Sequence, residues 1–164
     1  MSAVAVNPVS DLITLLEDNI DYTSLKHYNV STNPTASLQI LPLTDNNQPS
    51  LVNSDLVLIY EAITTRDTSD YFTKKAYHRN SSLQVHILAR EEFDEANHGG
   101  LKAVAAEVMK VLEKYYNWKK QDATANFDHI EITNEKNLSD KRKNFFKMVI
   151  SLELHSVGVN RSSI

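Results

Sequence analysis

The stretch Phe145-Phe146-Lys147-Met148-Val149-Ile150-Ser151-Leu152-Glu153-Leu154-His155-Ser156 decides how this chain folds. Phe146, Met148, Ile150, Leu152 and Leu154 alternate with Lys147, Val149, Ser151, Glu153 and His155. Side chains leave an extended chain on alternate faces, so a period of two held this long predicts one long strand with two different surfaces. One surface is expected on a core and the other on water or a partner. No reaction is named by these residue types.

Working backward, the polar segment from Asn134 to Lys143 holds Asn137, Ser139 and Asp140, which favour a turn. It follows a short strand, Phe127 to Thr133, and the two strands around it are expected to be antiparallel neighbours. Before them, Leu101, Val104, Ala105, Val108, Leu112 and Tyr115 fall at helical spacing, with Met109, Val111 and Tyr116 at the margins. Leu83, Val85, Ile87 and Ala89 alternate with Gln84, His86, Leu88 and Arg90, and Leu56, Val57, Leu58 and Ile59 form a continuous apolar run. The first pattern fits a half-buried strand, the second a strand covered on both faces, and the two are expected to pair. Pro- and Asn-rich chain from Asp21 to Ser54 brackets one short strand, Ser37 to Leu43, and Leu25 to Val30 can pair as an edge. At the start, Leu12, Ile13, Leu15, Leu16 and Ile20 form a helical stripe with Ser10 as its expected N-cap.

This order predicts an α+β fold: an antiparallel or mixed sheet, one long amphipathic helix packed across it, and a shorter N-terminal helix. The 164 residues, 41% hydrophobic, are expected to make a single domain, 1–164, from which a long loop at about 66–82 projects. A connection of that length is too long for a tight hairpin turn and is commonly a contact surface. It carries Lys74, Lys75, His78 and Arg79 beside Tyr71, Phe72 and Tyr77. A protein partner that covers the aromatics is one reading, and a solvated loop is the other.

Seventeen basic against 21 acidic side chains give a formal charge of −4, which argues against a duplex-binding protein and against sequence-specific nucleic-acid binding. The chain has no cysteine, so disulfides and thiolate metal sites are excluded. No apolar run reaches the roughly 18 residues of a membrane helix, and no membrane association is expected. Asp11 and Glu17 interrupt the N-terminal apolar stretch, which therefore does not read as a signal peptide.

Three glycines, Gly99, Gly100 and Gly158, are too few for a dinucleotide fingerprint or a P-loop. His98-Gly99-Gly100 is similar to a lipase oxyanion loop, but no Gly-x-Ser-x-Gly supplies a nucleophile, and a glycine turn before a helix explains it. The histidines lack the helical metalloprotease spacing. His86, His129 and His155 nevertheless lie on predicted strands, each on the face away from the main apolar row, where they could converge on a metal ion or simply face water. Glu91, Glu92, Asp94 and Glu95 read either as an acid and base pair or as carboxylates at a helix start. No cofactor and no enzymatic activity are expected.

Four features together resemble the tail terminator proteins of long-tailed bacteriophages, the group of lambda protein U and related minor tail proteins. They are the N-terminal helix from Asp11 to Asn19, the strand Leu83-Gln84-Val85-His86-Ile87-Leu88-Ala89-Arg90 with Glu91-Glu92 after it, the helix Leu101 to Tyr116, and the closing strand. The resemblance implies a structural virion protein at the head-proximal end of the tail, assembled in the host cytoplasm. As a hexameric ring it would dock on the tail tube protein, end tube polymerisation and present a surface to head-completion or connector proteins, with genome DNA passing through the ring. On that reading Phe145, Val149 and Val157, on the outer face of the closing strand, are the candidate subunit contacts. Tyr71, Phe72, Lys74, Lys75, Tyr77 and Arg79 are the candidate partner contacts. The Pro-rich segment and the loop match no motif of that family. Another head-tail connector or tube component is the alternative within the class, and a small metal-dependent hydrolase using strand histidines is the alternative outside it.

Overall fold

A computed structural model describes residues 8–22, 24–28, 38–43, 55–67, 76–92, 99–114, 129–143 and 146–159; the side chains of 63–67, 76–79 and 156–159 lie outside that description. Helix α1 (Pro8–Asn19) leads through one 3-10 turn (Lys26–Tyr28) to strand β1 (Leu38–Pro42). Strands β2 (Asp55–Asp67) and β3 (Ala76–Ala89) follow, then helix α2 (Gly100–Lys114), strand β4 (His129–Asn137), a second 3-10 turn (Lys141–Lys143) and strand β5 (Phe146–Val159). The strands form one sheet in the order β1-β2-β3-β5-β4. β1 runs parallel to β2, and the other neighbouring pairs are antiparallel.

These findings correct the expected α+β layout with one long helix across the sheet. A mixed sheet of five strands dominates, and the two helices are of similar size, 12 and 15 residues. The strands are longer than their hydrophobic patterns because ladder pairing continues through polar residues once a neighbour is in register. Arg66 and Asp67 pair with Arg79 and His78, and β3 pairs with β5 along its whole length, from Ala76↔Val159 to Ala89↔Phe146. Much of the expected loop 66–82 is therefore strand, and only residues 68–75 of it lie outside the described residues. β4 likewise runs on to Asn137, through residues expected to turn.

Both helices share one core with one face of the sheet. Leu12, Leu15, Leu16 and Ile20 of the α1 segment and Leu101, Val104, Val108, Val111 and Leu112 of α2 meet Val57, Ile59, Leu83, Val85, Ile87, Ile130, Ile150, Leu152 and Leu154. The alternation in β5 fixes its face: Ile150, Leu152 and Leu154 are buried, while Val149, Ser151, Glu153 and His155 are only half-buried. Met148 and Phe146 sit at the margin of the core, partly exposed. Full burial of a side chain the size of Ile150 stabilises the fold by about 1.5–3 kcal/mol.

Local chemistry sets the element ends. Helix α1 begins at Pro8, because a first-turn proline gives up an N–H that has no partner there, so Ser10 is an exposed residue inside the helix and not its cap. The β4–β5 turn is held by its own side chains: Asn137 Oδ1 accepts from Ser139 N at 2.9 Å, and Asp140 Oδ1 accepts from Arg142 N at 3.1 Å. The expected edge pairing of Leu25 to Val30 gives way, over Lys26–Tyr28, to a 3-10 turn that brings Leu25 and Tyr28 into the core.

Candidate functional site

The face of the sheet away from the helices carries the candidate site. Cross-strand partners share a face, so the pairing of Ile130 with Leu154 on the core side puts His129 opposite His155 and Glu131 opposite Glu153 on the other. The two imidazole rings lie 5.3 Å apart between centroids. His155 Nε2 is 3.3 Å from Glu131 Oε2 and 3.5 Å from Glu153 Oε2. Ligand-type atoms of His129, Glu131 and His155 all fall within 4.8 Å of one another. The His155 side chain is 20% exposed and Glu131 45%, so the group opens to solvent from the β4 side.

His86 does not join it. That residue pairs with Leu58 and Val149, whereas His155 stands opposite Asn80, six residues away along β3. At about 3.3 Å per residue the separation is roughly 20 Å. His86 Nε2 instead lies 3.0 Å from Gln84 Oε1. Burial, and secondarily the Lys147 charge across the ladder, lower its pKa from the usual imidazole value of 6.5. The sequence placed all three histidines on the correct face, but only strand register determines which of them meet.

A second polar group is buried where the 3-10 turn, β2, β3 and α2 converge. Asp55, 3% exposed, accepts from Tyr28 Oη at 2.5 Å, from Arg90 N at 3.0 Å and from Arg90 Nε at 3.1 Å. Tyr28 Oη in turn accepts from Gly100 N at 3.0 Å, at the first residue of α2. Burial, followed by the Asp55 carboxylate, pushes the Tyr28 phenol far above its ordinary pKa of 10.0. Both Asp55 carboxylate oxygens and the Tyr28 hydroxyl have protein partners, and the group ties together the 3-10 turn, β2, the end of β3 and the start of α2. Hydrophobic patterning gave no sign of it, although an isolated Asp before an apolar run is an available signal.

The glycine pair acts as the turn expected of it. A Cβ on Gly99 would lie 2.2 Å from His27 Cβ, and Gly100 has φ of 79°, a left-handed conformation that side chains resist. Of the acidic run, Glu92 bridges Lys102 of α2 at 3.4 Å and Lys141 of the second 3-10 turn at 3.2 Å, and these lysines, Lys141 foremost, lower its pKa. Asp94 and Glu95 lie outside the described residues.

Of the candidate contact residues, Val149 is half-buried on the outer face, between His86 of β3 and Lys136 of β4. Leu88 is half-buried nearby, and Tyr60, 43% exposed, pairs with Gln84 on the same face. Val157 pairs with His78, and Tyr77 and Arg79 are in β3, but the side chains of all three are outside the described residues. Phe145, Tyr71, Phe72, Lys74 and Lys75 also fall outside them. A basic cluster that sequence reasoning passed over sits instead at the β4–β5 turn. Residues 136–147 hold Lys136, Lys141, Arg142, Lys143 and Lys147 with one acid, Asp140, an excess of four positive charges along this segment of a chain of net −4, of which Lys141 is paired with Glu92. The signal was the run Lys141-Arg142-Lys143 in the sequence. Comparison with known proteins finds no family model that matches this chain and no matching curated protein.

Proposed function

We propose that this chain is a structural assembly protein that forms a ring capping the tube of a phage tail, ends tube growth and offers a docking surface to head-completion proteins. The observation that carries the reading is the two-sided closing strand. β5 lies inside the sheet, with Ile150 and Leu152 at 0% and 1% exposure under the helices and Val149 half-exposed on the opposite face. Its edges are already taken by β3 and β4, so contact between copies through β5 uses its outer face and not strand addition. Among the described residues, β1 and β4 are the edge strands of the sheet, where strand addition would occur. Leu88, Val149 and Tyr60 supply the apolar part of a head-to-tail contact, in which one patch meets a different patch on the next copy. The basic β4–β5 turn is suited to an acidic surface on the adjoining ring.

Native mass measurement of the purified chain, with imaging of any ring it forms, is the direct test. Val149→Asp should leave a folded monomer that assembles poorly, while Ile150→Asp should prevent folding by burying an unpaired charge. Wild-type protein that stays monomeric at high concentration, or two variants that fail alike, would sink the reading.

A further inference from the structure

We propose that His129, Glu131, His155 and Glu153 form a binding site for one divalent transition-metal ion of the zinc class, clamping edge strand β4 to β5 on the face away from the helices. The site is independent of ring formation and rests on three observations.

The first is the pairing itself. Glu131 and Glu153 are direct cross-strand partners of like charge, an arrangement that destabilises a sheet unless a cation lies between them. The second is distance. Ligands about 2.0–2.1 Å from a tetrahedral ion stand about 3.3 Å from one another. His155 Nε2 is 3.3 Å from one carboxylate oxygen and 3.5 Å from the other, already at that spacing. The His129 ligand atom lies within 4.8 Å of the Glu131 and His155 ligand atoms, so binding would require a further approach of its side chain to the ion. The third is the donor set. Two imidazole nitrogens with two carboxylate oxygens suit zinc, cobalt, nickel or copper, whereas magnesium and calcium favour oxygen ligands in larger number.

The position also gives the ion a mechanical effect. From Thr133 to Asn137 the β4 residues are exposed, and the β4–β5 register shifts between Ile132 and Asn134. An ion joining residues 129 and 131 to 153 and 155 would pin the other half of this edge strand, next to Ile130 in the core.

The test is calorimetric titration of the untagged, chelator-treated full chain with zinc chloride, repeated with cobalt(II) while the visible absorption of a four-coordinate site is followed. One ion per chain is expected. His129→Ala and His155→Ala should each weaken binding at least about tenfold, and His86→Ala should leave it unchanged. Magnesium at the same concentration should not compete. If His155→Ala fails to fold, as judged by circular dichroism, His129→Ala decides alone. Absence of zinc binding by folded wild-type chain, binding indifferent to His129→Ala, or one ion shared by two chains overturns the proposal.

Discussion

Removing a single oxygen, by Tyr28→Phe, tests whether the buried polar group is what fastens α2 to the sheet. The phenol donates to Asp55 Oδ2 at 2.5 Å and accepts from the Gly100 amide at 3.0 Å, and Tyr28 is 5% exposed. A hydrogen bond to a buried carboxylate contributes about 1.5–3 kcal/mol, and the Gly100 N–H loses its acceptor as well. Relaxation and the remaining Arg90 bonds to Asp55 offset part of this, so a loss of about 3 kcal/mol near neutral pH is expected. pH dependence gives the result a second signature. The folded-state pKa of Tyr28 is raised, so below the ordinary value of 10.0 the phenol is protonated in both states and its contribution is complete. Above that value only the unfolded chain releases the proton, and wild-type stability falls by about 1.4 kcal/mol per pH unit from this group, until the folded phenol itself ionises. The phenylalanine variant lacks that slope, so the gap between the two proteins should narrow as pH rises beyond 10. Urea unfolding at neutral pH and at two alkaline values measures both effects. Equal midpoints at neutral pH, or a gap that stays constant into alkali, would refute the assignment of the group as a fastener.

Two further substitutions probe other parts of the fold. Gly99→Ala should destabilise the protein by about 1–3 kcal/mol in the same unfolding assay, since its Cβ would fall 2.2 Å from His27 Cβ and the β3–α2 connection or the 3-10 turn must shift. The lowered pKa of His86 means that the folded state resists the proton that the unfolded chain takes up near 6.5, so its contribution is present above that pH and lost as pH falls below it. His86→Gln should therefore flatten the loss of stability between neutral pH and pH 5, as followed by thermal unfolding; an unchanged acid profile would contradict the burial argument.

Several elements were legible because their signal is local. The α2 stripe of Leu101, Val104, Ala105, Val108 and Leu112 is buried as its spacing requires, and the run Leu56 to Ile59 is covered on both faces. Where the sequence misled, competing structure was non-local. Residues 76–82 and 134–137 carry polar or mixed side chains that favour loop or turn by composition, yet they extend strands because β2, β5 and β5 again offer them ladder partners. Helix α2 stops at Lys114 among the described residues, and α1 starts two residues before its expected cap, so the pair is near equal in length.

The sequence by itself determined that β5 is a strand and which of its faces meets the core, because alternation of side chains is a property of the extended backbone alone. It also excluded thiolate chemistry and the glycine-rich nucleotide folds. Only the tertiary structure decided the strand order β1-β2-β3-β5-β4, the joining of Tyr28, Asp55, Arg90 and Gly100, and the meeting of His129 with His155 while His86 stands apart. Those depend on register between segments distant in the chain, and register is set by how two helices and five strands bury their apolar faces together, which no single segment encodes.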